Sequence, residues 1–328
     1  PDGRFVITYN GELYNYRALR ADLAALGERF ATQSDTEVLL RLLAREGEAA
    51  LPKLVGMFAL ALWDRANETL LLARDRLGIK PLVWGEVPGG IAFASELRAL
   101  EAHPGIDLTL DREALSQYLA CLYVPAPLTM RKGIRKLPPG HFLRLRRGVL
   151  EGPAPWWRPR VPGDRSLSLD EAVEEVLPLL RRAVRDHLVS DVPVGCFLSG
   201  GIDSSVVAAL VAETGPPRTF TMTFAEPAYD ERDAAAVVAN HVRSWHTELP
   251  ASPEVDLALL LDRFGEPFGN PTAFLVADLA RKAREHVTVA LVGDGGDEVF
   301  GGYPRYDGGL LAQKWRRLPR PLRRAAAA

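Results

Sequence analysis

The sequence predicts two domains of different class: an α+β layered domain, then an α/β domain built on a doubly wound parallel sheet. Three observations carry this. The chain has 328 residues, more than one hydrophobic core usually serves. Its first half carries strand-like runs and helical stripes without strict alternation. Its second half alternates strand with helix, and the first of those junctions reads V-G-C-F-L-S-G-G-I-D-S-S from Val194 to Ser205.

Composition bounds the rest. Hydrophobic residues make up 47% and charged residues 25%, ordinary values for globular domains. Lys plus Arg is 40 against 42 for Asp plus Glu, a net charge of −2, which gives no global pull toward nucleic acid or an acidic membrane. No apolar run approaches transmembrane length, and no signal peptide opens the chain. The two cysteines, Cys121 and Cys196, form no disulfide or zinc spacing and read as core residues. A reducing cytoplasm is the expected compartment.

In the first half, Arg4 to Tyr9 is β-rich and is expected to end in a turn at Asn10-Gly11. A helix follows from Tyr14 to Leu26. Ser34-Asp35-Thr36 caps a second helix with Val38, Leu39, Leu42 and Leu43 as its buried stripe. Met57–Trp63 and Thr69–Ala73 form a hairpin, with short strands near Pro81–Trp84 and Ile91–Ala94. Helices are expected from Ser95-Glu96 and over Asp111–Tyr118. Val149 to Arg165, with four prolines and two glycines, reads as a stiff, structureless connector pinned by Trp156-Trp157. The expected division is therefore 1–150, a linker 151–166, and 167–328.

In the second half, a helix from Ser168 to about Leu188 contains Pro178, which implies a kink or break. Val194–Leu198 is a buried strand that turns into a helix through Ser199-Gly200-Gly201. Uncapped N–H groups at such a helix start favour an anion. Ser199, Ser204 and Ser205 add hydroxyls, and Asp203 either caps the helix or reaches Mg²⁺. The string lacks the lysine of a Walker A loop, so it suits a diphosphate that leaves as a unit. Strands follow at Thr219–Phe224, Trp245–Leu249 and Val287–Val292, with helices over Tyr229–Val242, Pro253–Phe264 and Pro271–Arg284. Ligands of such sheets bind at the strands' C-terminal ends. There lies G-D-G-G-D-E, Gly293 to Glu298, with three glycines interleaved with three carboxylates, a composition suited to a nucleotide and Mg²⁺. The basic stretch Lys314–Arg324 reads as a solvated helix and loop.

S-G-G-I-D-S-S resembles the PP-loop of the ATP pyrophosphatases. Y-N-G-E-L-Y-N-Y (Tyr9–Tyr16), S-D-T-E-V (Ser34–Val38), G-M-F-A-L-A-L-W-D (Gly56–Asp64), A-R-D-R-L-G-I-K-P-L (Ala73–Leu82), F-A-S-E-L-R-A-L (Phe93–Leu100), L-P-P-G-H (Leu137–His141) and G-D-G-G-D-E-V-F-G-G-Y (Gly293–Tyr303) resemble the asparagine synthetase family in order. The resemblance implies an incomplete Ntn-type αββα glutaminase domain followed by an incomplete PP-loop domain. It implies glutamine-dependent amidation of aspartate through an acyl-AMP, with ATP and Mg²⁺. By the same resemblance, the Asn10 side chain and Gly11 N–H form an oxyanion hole, while Glu12 and Asp35 meet the α-ammonium of glutamine. Leu198 and Met222 contact the nucleotide. Ser199, Gly200, Gly201, Asp203, Ser204 and Ser205 cradle the pyrophosphate, joined by backbone at Val292 and Gly293. Asp203 and Asp297 hold Mg²⁺, and Asp294 serves acyl-adenylate formation. Glu266–Thr272 borders the acyl-substrate side. Val292 and Asp294 depart from the family's usual serine and glutamate.

The family's N-terminal nucleophilic cysteine has no counterpart here, because the chain opens on Pro1. It therefore reads as a fragment that does not hydrolyse glutamine. Expected partners are glutamine, aspartate and ATP, without nucleic acid or membrane, and the resemblance admits a homodimer. Competing readings are a β-lactam synthetase-like cyclase or tailoring amidotransferase, and a non-catalytic nucleotide-binding relative.

Overall fold

Apolar residues at every second position make Phe5–Leu13 the first strand, β1, with one face buried. In the computed structural model, which describes residues 3–160, 163, 165–252, 256–317 and 319, α1 (Tyr16–Ala25) and α2 (Asp35–Glu46) follow. Ser34 caps α2 by accepting from Thr36 N at 3.1 Å, and the stripe Val38, Leu39, Leu42 and Leu43 is buried. After a 3₁₀ turn, Gly47–Lys53, come β2 (Gly56–Asp64), β3 (Thr69–Arg74), β4 (Val83–Val87), β5 (Gly90–Ala94), α3 (Leu97–Glu101), α4 (Arg112–Cys121), β6 (Arg135–Lys136), β7 (His141–Arg146) and β8 (Val149–Pro155).

These strands form two antiparallel sheets, ordered β1-β2-β3-β7-β8 and β5-β4-β6. Side-chain alternation stacks them. Phe58, Leu60, Leu62, Leu71 and Ala73 face the helices α1 and α2. Ala59, Ala61, Leu72 and Leu143 pack instead on Trp84 of the smaller sheet and on Leu82 just before it. The far side of that sheet, at Val83, meets Leu97 and Leu100 of α3. The layers therefore run helix, sheet, sheet, helix.

Three expectations fail here. Asn10 and Gly11 are not a turn: they pair with Ala59 and Phe58 inside β1. Gly11 answers to crowding, since a Cβ there would lie 2.2 Å from Met57 O. The stretch after Val149 is not structureless, because Val149–Pro155 pairs with β7 as an edge strand, where proline costs no ladder bond on the outer side. Trp156 anchors it by stacking on Phe58 and donating to Arg74 O at 3.0 Å. The expected linker 151–166 thus begins inside β8, and Val161, Pro162 and Asp164 lie outside the described residues. Cys121 is exposed at the end of α4 rather than in a core.

The second half alternates as expected: α5 (Leu169–His187), β9 (Val194–Phe197), α6 (Ile202–Ala212), β10 (Arg218–Thr223), α7 (Arg232–His241), β11 (Trp245–Pro250), α8 (Leu257–Phe264), α9 (Thr272–Ala283), β12 (Val289–Leu291), α10 (Gly296–Phe300) and α11 (Pro304–Arg317). The helix α5 runs through Pro178 without a break. The expected basic tail is helical to Arg317, and the rest of it, apart from Pro319, lies outside the described residues, as does the expected helix start at Pro253. The four strands are all parallel, in the order β11-β10-β9-β12. One face packs Leu198 against Ala208, Ala235 and Ala239. The other packs Phe220 and Leu249 against Ala283 and Val287.

The chain divides into two units, Pro1–Ser168 with Glu254–Phe274, and Leu169–Pro253 with Leu275–Ala328. In the first, Arg98 pairs with Asp262, Lys136 pairs with Glu266, and Gly269 N donates to Leu122 O at 2.7 Å.

Candidate functional site

Each unit carries one candidate site. In the second unit, the parallel order reverses at β9: the chain steps outward through β10 and β11, then returns to β12 on the other side. Ligands of open α/β sheets bind at that switch, outside the strands' C-terminal ends. The loops after β9 and β12 are therefore neighbours. Gly200, at φ +80°, lies against α7, where a Cβ would sit 2.6 Å from that of Ala234; only glycine combines that φ with that approach. A Cβ on Gly293 would be 2.8 Å from Ser204 N, and one on Gly296 would be 2.4 Å from Asp203 Oδ2. The two glycine-rich loops nest directly on each other.

Within the first loop, the hydroxyls of Ser199 and Ser204 lie 3.0 Å apart, Gly201 N donates to Ser199 Oγ at 3.3 Å, and Ser205 Oγ donates to Gly201 O at 2.6 Å. No side chain caps α6, so Asp203 is not the cap that was one of its two expected roles. Its carboxylate lies against Gly296 instead. The amides opening this 11-residue helix thus keep their field for an anion. Leu198 and Met222 are buried. Leu198 N donates to Phe220 O and Leu198 O accepts from Thr221 Oγ1 at 2.5 Å, so both backbone groups are engaged by β10, while its side chain packs on α6 and α7. Val292 and Asp294 are exposed. The Asp297 carboxylate lies against Gly302, and Tyr303 donates to Glu298 at 2.9 Å, a bond that raises the Tyr303 hydroxyl. Among the described residues no three His, Cys, Asp or Glu side chains gather as a metal cage. Asp203 and Asp297, in the first turns of α6 and α10, are of the type that would suit Mg²⁺, which binds through one or two carboxylates plus phosphates.

In the first unit, β1 is the outer strand of its sheet. Tyr14 N donates to Val55 O, so the alternating ladder turns the Leu13 and Gly11 N–H groups to the open edge. Leu13 N donates there to Asp35 Oδ2 at 3.1 Å. Asn10 and Glu12 are exposed on β1's other face, where Asn10 Nδ2 donates to Ser95 Oγ at 3.1 Å. Asn10, Gly11, Glu12 and Asp35 are thus gathered along one edge strand.

The bonding of Arg74 and Asp75 escaped the sequence reading, as did the pairing with Lys136 of Glu266, a residue expected on the acyl-substrate side. Asp75 is buried and accepts from the amides of Phe58, Leu77, Ile79 and Lys80, while Arg74 donates to the carbonyls of Gly78, Lys80 and Leu137. Together they tie the R-D-R-L-G-I-K loop. The Lys136–Glu266 pair borders a cavity of about 320 Å³ with Ser95, Arg98 and Phe264. Burial raises the Glu266 carboxyl, opposed by Lys136.

Profiles of two families match in series. The glutamine amidotransferase domain matches residues 1–157 and asparagine synthase matches residues 175–328. Asparagine synthetase [glutamine-hydrolyzing] 1 of Bacillus subtilis is 36% identical over 98% of this chain and 51% of its own length. A putative asparagine synthetase [glutamine-hydrolyzing] of Mycobacterium tuberculosis is 38% identical over 99% and 51%. A solved glutamine phosphoribosylpyrophosphate amidotransferase of B. subtilis aligns over 78% of this chain and 63% of its own, at 16% identity and a TM-score of 0.35. The chain spans about half the length of the curated relatives it matches. No described helix is long and apolar enough to cross a membrane. The glutamine amidotransferase and asparagine synthase domains thus lie in series on this chain, which over nearly all of its own length is similar to proteins named glutamine-hydrolysing asparagine synthetases.

Proposed function

We propose that the protein converts aspartate to asparagine, cleaving ATP to AMP and pyrophosphate, with glutamine as nitrogen donor. The observation that carries this is the nesting of S-G-G-I-D-S-S on G-D-G-G-D-E at the switch point of the parallel sheet. The relatives' names support the choice of aspartate and glutamine over the cyclase and binding-module readings. The helix–sheet–sheet–helix layering supports an N-terminal nucleophile fold for the first half. The order β11-β10-β9-β12 supports a PP-loop domain for the second. A cytoplasmic location fits this chemistry.

The proposed steps follow from the loops. The aspartate side-chain carboxylate attacks the α-phosphorus of ATP, and the bond to the departing pyrophosphate breaks. The free amides at the start of α6, with Ser199, Ser204 and Ser205, hold the pyrophosphate as a unit. Mg²⁺ bound with ATP neutralises phosphate charge, and Asp203 and Asp297 are the carboxylates offered to it. Asp294 reaches the acyl-adenylate side. Ammonia then displaces AMP from the activated carbonyl.

At the glutamine site, Gly11 N–H and Asp35 lie along the open edge of β1, with Leu13 N bonded to Asp35. Two residues of strand advance about 6.8 Å, a span that glutamine bridges between its amide oxygen and its α-nitrogen. Asn10 Nδ2 is the second oxyanion donor, released from Ser95, and Glu12 is a second anion for the ammonium.

The test is exchange of labelled pyrophosphate into ATP by the full-length protein. Exchange that requires aspartate and is lost in Asp203→Ala supports the proposal. Exchange with a different carboxylic acid alone, or none with any, overturns it.

A further inference from the structure

Asp35 opens α2, yet its carboxylate is not spent on that helix. One oxygen, Oδ2, takes two fixed donors: Leu13 N at 3.1 Å from the open edge of β1, and the Tyr9 hydroxyl at 3.1 Å, 26 residues away in sequence. The other, Oδ1, faces the Thr36 hydroxyl at 3.2 Å and the Ser34 hydroxyl at 3.5 Å. Hydroxyls rotate, whereas the Leu13 amide is fixed by the strand and Tyr9 by its ring. That ring packs into the core between β1 and the two helices. Burial, and beyond it the Asp35 carboxylate, raises the Tyr9 hydroxyl far above the ordinary tyrosine range, so it stays protonated and remains a donor. Two fixed donors on one oxygen set the plane of the carboxylate. They leave Oδ1 as the oxygen that can turn to a cation.

We infer that Tyr9 is a positioning residue for glutamine selection: its hydroxyl locks Asp35 so that Oδ1 meets the α-ammonium of the substrate. This rests on the reading of Asp35 as an ammonium partner given above. It adds that preference for an α-amino amide depends on a tyrosine that never touches the substrate. A bond to an ionised acceptor is stronger than a neutral one, and an oriented carboxylate loses less freedom when the ligand arrives.

The experiment uses the full-length protein and two amides, glutamine and glutaramate, which is glutamine without its α-amino group. Tyr9→Phe keeps the ring and removes the hydroxyl. The expected result is a KM for glutamine raised roughly tenfold with kcat within about twofold, and a KM for glutaramate that does not move. Turnover of glutaramate checks that each variant's site is folded. In an Asp35→Asn background, the Tyr9 substitution is expected to add nothing, since the two act as one unit. Equal shifts for both amides, or none for either, would make Tyr9 a packing residue and overturn the inference. Separately, an Asp35→Asn variant with unchanged KM for glutamine would overturn the reading of Asp35 and the role of Tyr9 with it.

Discussion

Single residues hold both candidate sites in shape, and two of them carry sharp expectations. Asp75 satisfies four amides from a buried position. Asp75→Ala leaves those donors orphaned, and the expected cost is about 3 kcal/mol or more, read as a lower urea midpoint. A Cβ on Gly296 would meet the Asp203 carboxylate at 2.4 Å, so a methyl group there must displace that side chain. Gly296→Ala is expected to weaken Mg²⁺-ATP binding at least tenfold by calorimetry, about 1.4 kcal/mol, with the melting temperature little changed because what must yield is the carboxylate end of the Asp203 side chain. The sequence displayed the glycines and serines of these loops, and their spacing after a buried strand was legible. It could not display Tyr9 against Asp35, or Asp75 against the Phe58 amide, since such pairs form only once distant strands and helices close.

Elements were most legible where one face is buried. The stripe Val38, Leu39, Leu42 and Leu43 and the Ser34 cap placed α2 correctly. The β2–β3 hairpin follows from its alternating faces. Local signals misled at Asn10-Gly11 and after Val149. At the first, a turn-forming pair is overridden by nine residues of continuous pairing with β2. At the second, prolines that discourage an inner strand are tolerated on an outer one. The start of α2 also gives a pH expectation. Burial works to raise the Glu37 carboxyl, but the Ala31 and Thr32 amides, the Thr32 hydroxyl and Arg41 together draw it down to about 2 from 4.5. The folded value lies below the unfolded one. Stabilisation is therefore present above about pH 4.5 and is lost as pH falls toward 2. Urea midpoints measured between about pH 5 and 3 are expected to fall less steeply for Glu37→Gln than for the parent.

At the scale of the whole molecule, the two units are not two consecutive stretches. Glu254–Phe274 belongs with the first unit although the second surrounds it in sequence. It brings Asp262 to Arg98 and Glu266 to Lys136. Residues 1–168 alone are thus expected to unfold at lower urea than residues 1–274, because Lys136 would lose its carboxylate partner and α3 its cover from Gly265. The order of synthesis makes this a matter of time. The 85 residues Leu169–Pro253 emerge between the first unit's body and its last piece. At about 5–20 residues per second, that is several seconds. During them, Arg98 and Lys136 wait for their partners and the Leu97 side chain waits for its neighbour. A nascent chain in that interval offers an unfinished surface to chaperones and proteases, so a slowed ribosome between these segments would lower yield without changing a single residue.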